Sequence, residues 1–321
     1  MKAPIPCRFC NTTDNFELYS ARDTSERLWG INKCNNCKAV FLTPQPTPEQ
    51  LQMAYDASYY GEGDSKFAFS VEGFIDKFRR KRAKFLSLRL SPKARVLDIG
   101  CGNGRFLQHL STFGDYELHG IEMEGGSSER AKKVKEIKLK IGTLKKDDYA
   151  DGYFDAVTLF HVFEHLDNPK ETLHLIKSIL KEDGTLVISM PNISSWQAKM
   201  FKGQWLHLDP PRHLFFFDPY DLIKVMETFG FKLIHKRWMS IEQNPFGWVQ
   251  SCLNKLTAKR DVLYERLKGN ARYAPEYGGS NIFFQKLFLI ITLPFFILSD
   301  VFESLFHKNG TFQFTFRKKS F

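Results

Sequence analysis

From Ala94 onward the chain alternates short apolar runs with segments of helical periodicity. "ARVLDIG" (94–100) reads as a buried strand and "RFLQHLSTFG" (105–114) as a helix closed by a glycine. "YELHGIEME" (116–124) is a strand, "SSERAKKVKEI" (127–137) a helix and "LKIGTL" (139–144) a short strand. "FDAVTLF" (154–160), the helical "NPKETLHLIKSILKEDG" (168–184) and "TLVISMPN" (185–192) continue the pattern. Such alternation predicts an α/β fold, a parallel sheet with helices on both faces. "DPYDLIKVMETFG" (218–230) adds a helix ending at Gly230, and "FKLIHKRWMSI" (231–241) a strand. In "GTFQFTFRKK" (310–319), Phe312, Phe314 and Phe316 alternate with Thr311, Gln313 and Thr315, which predicts a last strand.

Other stretches break this rhythm. Residues 44–70 read as a linker: "TPQPTPEQ" (43–50) is rich in X-Pro steps and polar groups, a turn-rich connection, followed by the aromatic "AYDASYYGEG" (54–63). Val71 to Leu90 spaces Phe74, Phe78, Phe85 and Leu86 helically among Arg79, Arg80, Lys81 and Arg82, a very basic amphipathic helix. Residues 241–309 form a helical insertion before the last strand (310–321), and its segment 282–306 is strongly apolar. If the strands on either side share one sheet, the chain leaves that sheet and returns, so one full membrane crossing is excluded. The expectation is two half-length helices broken at Pro294, resting on an anionic lipid surface or packed as a lid or dimer face.

Composition narrows the class. With 43% hydrophobic and 26% charged residues among 321, the chain is globular rather than disordered. Its net charge of +10 points to an anionic partner such as nucleic acid, acidic lipid or a phosphorylated substrate. Four of six cysteines form "CRFC" and "CNNC", and the start "MKAPIPCRFCNTT" has no apolar signal region. A reducing cytoplasmic setting and a metal, rather than disulfides, follow. Cys7, Cys10, Cys34 and Cys37 supply the four thiolates of a structural zinc ribbon over residues 1–43, with no open coordination position.

The chemistry centres on "VLDIGCGNGRF" (96–106), a glycine-rich strand-to-helix turn. Its G-x-G-x-G lacks the third glycine spacing of a dinucleotide site and the G-K-[ST] of a P-loop. S-adenosylmethionine remains, which needs an acid near its ammonium and another on its ribose; Asp98 and Glu122 stand at those places. With "GIEME", "GTLKKDDYADGYFDAVTLFHVFEHLDNP" and "GTLVISMPN" in order, residues 94–240 resemble class I S-adenosylmethionine-dependent methyltransferases. The flanks, "CRFC…CNNC", "FLTPQPTPEQLQMAYDASYY" and "QWLHLDPPRHLFFF", resemble a narrower bacterial group with an N-terminal zinc ribbon, associated with envelope glycans and lipids. The resemblance implies a Rossmann-like seven-stranded sheet of order 3-2-1-4-5-7-6 over a core at 71–240, its last strand antiparallel. It implies that Asp98, Gly100, Gly102 and Gly104 line the methionine moiety, Glu122 holds the ribose and Thr143–Leu144 flank the adenine. Cys101, Met123 and Phe160 stand beside them.

Methyl transfer to a hydroxyl needs a proton acceptor, and His161 and His165 follow the fourth core strand where such a base belongs. "HVFEH" spells H-x-x-E-H, a metalloprotease pattern, but in this context it is a decoy, as is "DPPR" (209–212) for DNA amino-methylation. Trp205, His207, Arg212 and His213 form a polar-aromatic segment suited to an anionic or glycan acceptor. The expectation is O-methylation of an envelope glycan or lipid-linked acceptor, in the cytoplasm or peripheral to the inner face of the membrane. The alternatives are a zinc-ribbon RNA methyltransferase acting on nucleic acid, and a non-catalytic S-adenosylmethionine-binding scaffold.

Overall fold

The computed structural model describes residues 5–55, 69–270 and 273–319. Most of the aromatic stretch 54–63, and the linker to residue 68, lie outside the described residues. The chain opens with β1 (Asn15–Arg22), β2 (Leu28–Cys34) and β3 (Val40–Thr43), an antiparallel meander. The X-Pro stretch then differs from expectation, because it contains α1 (Pro48–Ala54). Thr47 accepts the Gln50 N–H, the Gln50 side chain accepts the Thr47 N–H, and Pro48 occupies the first turn. That capping box satisfies the donors that a short helix would otherwise leave bare.

The basic stretch is α2 (Phe69–Ser87). The alternating region gives β4 (Arg95–Ile99), α3 (Arg105–Ser111), β5 (Glu117–Glu122), α4 (Gly126–Ala131), β6 (Ile137–Ile141), β7 (Phe154–Phe160), α5 (Pro169–Ile179) and β8 (Leu180–Pro191). Next come α6 (Trp196–Phe201), β9 (Phe215–Phe216), α7 (Pro219–Thr228), β10 (Phe231–Arg237), α8 (Asn244–Leu256), α9 (Val262–Leu267), α10 (Gly279–Leu305) and β11 (Thr311–Lys318). The large sheet runs β6-β5-β4-β7-β8-β11-β10, which in core-strand numbering is the expected 3-2-1-4-5-7-6. β11 is antiparallel to both neighbours.

β11 lies inside the sheet, so its polar face is buried together with Phe312, Phe314 and Phe316. Thr311 there donates its hydroxyl to the Asn244 side chain at 2.8 Å. The N-terminal sheet takes its fourth strand from the methyltransferase-like half, β9 pairing with β3. One apolar core runs through both: Phe9 meets Phe217 edge-to-face at 5.0 Å, and Phe41 packs in the same cluster as Phe215 and Phe229.

The insertion corrects one expectation. α10 is a single 27-residue helix with Pro294 inside it, not two half-helices. Proline removes one backbone donor, but packing along α8 outweighs that local loss. By length and composition α10 could cross a bilayer, yet it is tied to the core at its C-terminal end. Asp300 accepts from the Asn244 and Asn309 amides at 2.7 and 2.6 Å, and Glu303 from the Trp248 indole at 2.6 Å.

Candidate cofactor and acceptor site

The parallel strands β4, β5 and β7 end side by side, and the turn after β4 docks back onto β5. The Ile121 carbonyl accepts from Gly100 N–H at 2.8 Å and Cys101 N–H at 3.0 Å. Glu122 closes the turn: its carboxylate accepts from Gly102 N–H at 2.6 Å and from Met123 N–H at 3.0 Å. Gly100 has φ +71°, and a Cβ there would lie 2.3 Å from Val162 Cγ2. Gly102 has φ +58° and open space where a Cβ would stand, so its bare backbone faces the cavity. Asp98, 3% exposed, accepts the Thr158 hydroxyl at 2.6 Å. Burial pushes its carboxyl up to about 7, against the Thr158 hydrogen bond and helped by the neighbouring Glu122 charge.

These groups open onto a cavity of about 1360 Å³. Asp98, Gly100, Cys101, Gly102, Glu122 and Met123 line it, as do Thr143, Leu144 and Phe160. Gly104 stands off the wall, capping α3 at φ +75° where a Cβ would strike Ile137. The donor set fits S-adenosylmethionine. A carboxylate anchored to the glycine turn suits a ribose diol, a buried acid suits an ammonium, and Gly102 leaves a cradle that a side chain would fill.

Beyond β7, His161 and His165 both face the cavity, although the segment is a bend and a 3-10 turn (Phe163–His165) rather than the α-helix a zinc protease motif requires. His161 adopts φ +55°, anchored by its N–H to the Ser189 carbonyl at 2.9 Å. Behind it lies Glu164, fully buried, with neither carboxylate oxygen hydrogen-bonded among the described residues. His161 Nδ1 stands 3.7 Å and His213 Nε2 4.0 Å from its Oε1. Burial would raise the Glu164 carboxyl, but His161 beside it, with His165 and His213, holds it below the ordinary range.

His165 Nδ1 is 2.9 Å from the Arg212 carbonyl and 2.8 Å from the Tyr55 hydroxyl. A carbonyl only accepts, so Nδ1 carries the proton and Nε2 is left basic. Burial, then the His213 charge, pushes His165 down to about 4, so the ring is neutral at pH 7. His213 is fixed the same way, Nδ1 donating to the His207 carbonyl at 2.8 Å. Glu164, His165 and His213 offer ligand atoms within 4.8 Å of one another, a set that could also hold a cation.

His207 and His213 line the cavity; Trp205 and Arg212 do not. Trp205 is wholly buried in the core between the N-terminal sheet and α8. Arg212 forks onto Asp209, with its Nε 2.9 Å from Oδ2, and donates to the Ala54 carbonyl at 2.9 Å. Sequence reasoning missed Glu164 as a buried partner, Tyr55, Thr158 and the α10 residues on the cavity wall. Only Glu164, between two candidate histidines, carried a visible signal.

At the other end of the chain, Cys7, Cys10, Cys34 and Cys37 bring their sulfurs within 4.8 Å of one another. Cys7–Cys37 and Cys10–Cys34 are 3.6 and 3.5 Å apart. A tetrahedron with Zn–S bonds of about 2.3 Å has edges of about 3.8 Å, so the four thiols fit zinc.

The sheet order, the glycine turn and the paired acids define the S-adenosylmethionine-dependent methyltransferase class. The chain belongs to the methyltransferase-domain family, whose profile matches residues 72–236, just over half its length. It is 29% identical over 193 residues to the mitochondrial ubiquinone biosynthesis O-methyltransferase of Saccharomyces cerevisiae, covering 57% of this chain and 61% of that one. It is 28% identical over 145 residues to the uncharacterized protein MJ1123 of Methanocaldococcus jannaschii, covering 44% and 67%. Against ubiquinone biosynthesis O-methyltransferases of Xanthomonas the match spans about half of their length. Among solved structures, a candidate sarcosine dimethylglycine methyltransferase from Galdieria sulphuraria superposes with TM-score 0.50 at 15% identity, over 79% of this chain and 91% of that one. The cyclase SpnF gives 0.53 at 16% identity, over 86% and 97%. At such identities these two share the fold alone. The chain carries a methyltransferase domain.

Proposed function

We propose that the chain methylates a hydroxyl on an envelope glycan or lipid-linked acceptor, with His161 as the proton acceptor. The observation that carries this is the position of His161 on the cavity wall that also holds Asp98 and Glu122, with the buried Glu164 carboxylate behind it, 3.7 Å from Nδ1. When bound, S-adenosylmethionine would supply an electrophilic methyl on its sulfonium, the carbon–sulfur electron pair returning to sulfur as the acceptor oxygen bonds the carbon. Asp98 and Glu122 fix the donor, so alignment comes from the sheet ends. His161 accepts the hydroxyl proton at Nε2 while Glu164, facing Nδ1, stabilises the imidazolium that forms. His165, neutral and held by Tyr55 and the Arg212 carbonyl, orients the acceptor. The resemblance of the flanks and the likeness to O-methyltransferases support an oxygen acceptor. The four thiols fit a structural zinc and a reducing, cytoplasmic compartment.

The test is transfer of tritiated methyl from S-adenosylmethionine into fractionated lipid, glycan and RNA pools, with wild type and His161→Gln. Label in lipid or glycan, lost at least tenfold in the variant while donor binding persists, supports the proposal. Label in RNA alone gives the zinc-ribbon RNA methyltransferase instead, and donor binding without label in any pool gives a scaffold.

A further inference from the structure

α10 is built inside out for a surface helix. Its polar residues Gln285, Asp300 and Glu303 face the protein and are buried, whereas Phe283, Phe284, Ile290, Ile291, Phe295 and Leu298 are between 62% and 69% exposed. A water-soluble amphipathic helix has the opposite arrangement. The exposed strip continues through Phe302 and Phe306 onto α6, where Trp196 packs on both rings at 5.7 and 5.4 Å and Met200 is exposed. About 1.5 Å of rise per residue makes this a strip roughly 40 Å long, larger than monomers leave to water.

Charge selects what covers it. Both acids of α10 are buried, and the only other formal charge on the helix is the exposed Lys286. Exposed Lys199 follows Trp196 by one turn on α6, and exposed Lys255 ends α8, which runs along α10. A second copy would oppose like charges on a chain already at +10. An apolar strip rimmed by lysines is complementary to an anionic bilayer surface.

The inner face of the same helix carries the second observation. Leu289, Leu293 and Ile297 line the cavity, with Phe246 of α8, Tyr264 and Leu267 of α9 across from them. This apolar arm is continuous with the part that holds Asp98, Glu122 and His161. α10 therefore stands between the outer strip and an apolar extension of the acceptor site.

We infer that α10 lies in the surface of an anionic membrane and that its inner face is the subsite for the hydrocarbon chain of an amphiphilic acceptor taken from that leaflet. The polar head of the acceptor then reaches His161 and His165. The chain subsite rests on the acceptor reading above; the membrane surface does not.

Two measurements on the full chain separate these parts. In flotation with phosphatidylcholine vesicles containing 30% phosphatidylglycerol, wild type should float, and pure phosphatidylcholine should capture at least tenfold less. Phe295→Asp with Leu298→Asp, both outward, should lose flotation by at least tenfold with unchanged donor affinity and melting temperature. Wild type remaining unbound, or light scattering showing a dimer that the double variant breaks, overturns the membrane assignment. For the subsite, dodecyl phosphate below its micelle concentration should bind wild type and lose at least tenfold affinity in Leu293→Trp, with the outward Phe295→Asp, Leu298→Asp variant retaining it. Equal binding by all three overturns the chain subsite. Neither readout needs methyl transfer, so failure of the O-methylation reading would appear separately, as absent label with vesicle and chain binding intact.

Discussion

Asp98 is buried, and the Arg82 charge only partly offsets its loss of water, which makes it a stability cost that a bound donor ammonium would relieve. Raising its carboxyl from the ordinary 3.8 to about 7 corresponds to roughly 4 kcal/mol withheld from the ionised, ligand-free chain. Relaxation around the charge reduces that to about 2–4 kcal/mol. Because the folded chain holds this proton more tightly than the unfolded one, stability falls as pH rises from about 4 to about 7, and the cost is complete above that range. Asp98→Asn keeps an oxygen for the Thr158 hydroxyl and removes the charge. In urea melts the advantage of the variant over wild type should grow by about 1–3 kcal/mol between pH 5 and pH 8. Its affinity for S-adenosylmethionine should collapse at both pH values, and that of wild type should weaken below about pH 7 as Asp98 takes its proton. A variant whose stability difference does not change between pH 5 and pH 8 would refute the reasoning, since titrating groups not coupled to Asp98 cancel in the comparison.

Other consequences follow from the same geometry. Gly100→Ala combines φ +71° with a Cβ 2.3 Å from Val162 and should cost about 2–4 kcal/mol by chemical denaturation. Gly102→Ala, strained but unobstructed, should cost only about 1 kcal/mol in stability while weakening donor binding by calorimetry. Zinc should be present at one per chain by elemental analysis and absent from Cys7→Ser, with a melting temperature lower by several degrees. An unchanged zinc content in that variant would remove Cys7 from the ligand set.

Much of the fold was legible because its signals are local. Strand–helix alternation, glycine stops and the Phe alternation of β11 each report on one element, while the strand order came from the family resemblance. The acids proposed to hold the donor were equally visible as cavity residues, since Asp98 and Glu122 sit at strand ends that sequence spacing identifies. What escaped is long-range. Nothing near Phe215–Phe216 announces that it completes the N-terminal sheet, and nothing near Trp205 announces that it is core rather than acceptor surface. Pro294 misled because a local helix breaker was weighed without the α8 surface that supports the helix through it. Tyr55 meets His165 across 110 residues of sequence, and no periodicity encodes such a meeting.

The donor pocket carries the whole account, and titration of S-adenosylmethionine into the purified chain by calorimetry, beside Glu122→Ala, addresses it most directly. Wild type should give a saturable single-site isotherm. Loss of a carboxylate that ties down Gly102 and Met123 and is proposed to hold the ribose should weaken it by about 30-fold or more, the equivalent of roughly 2 kcal/mol. No binding by wild type, or affinity left intact in the variant, would contradict the assignment of this cavity as the donor site.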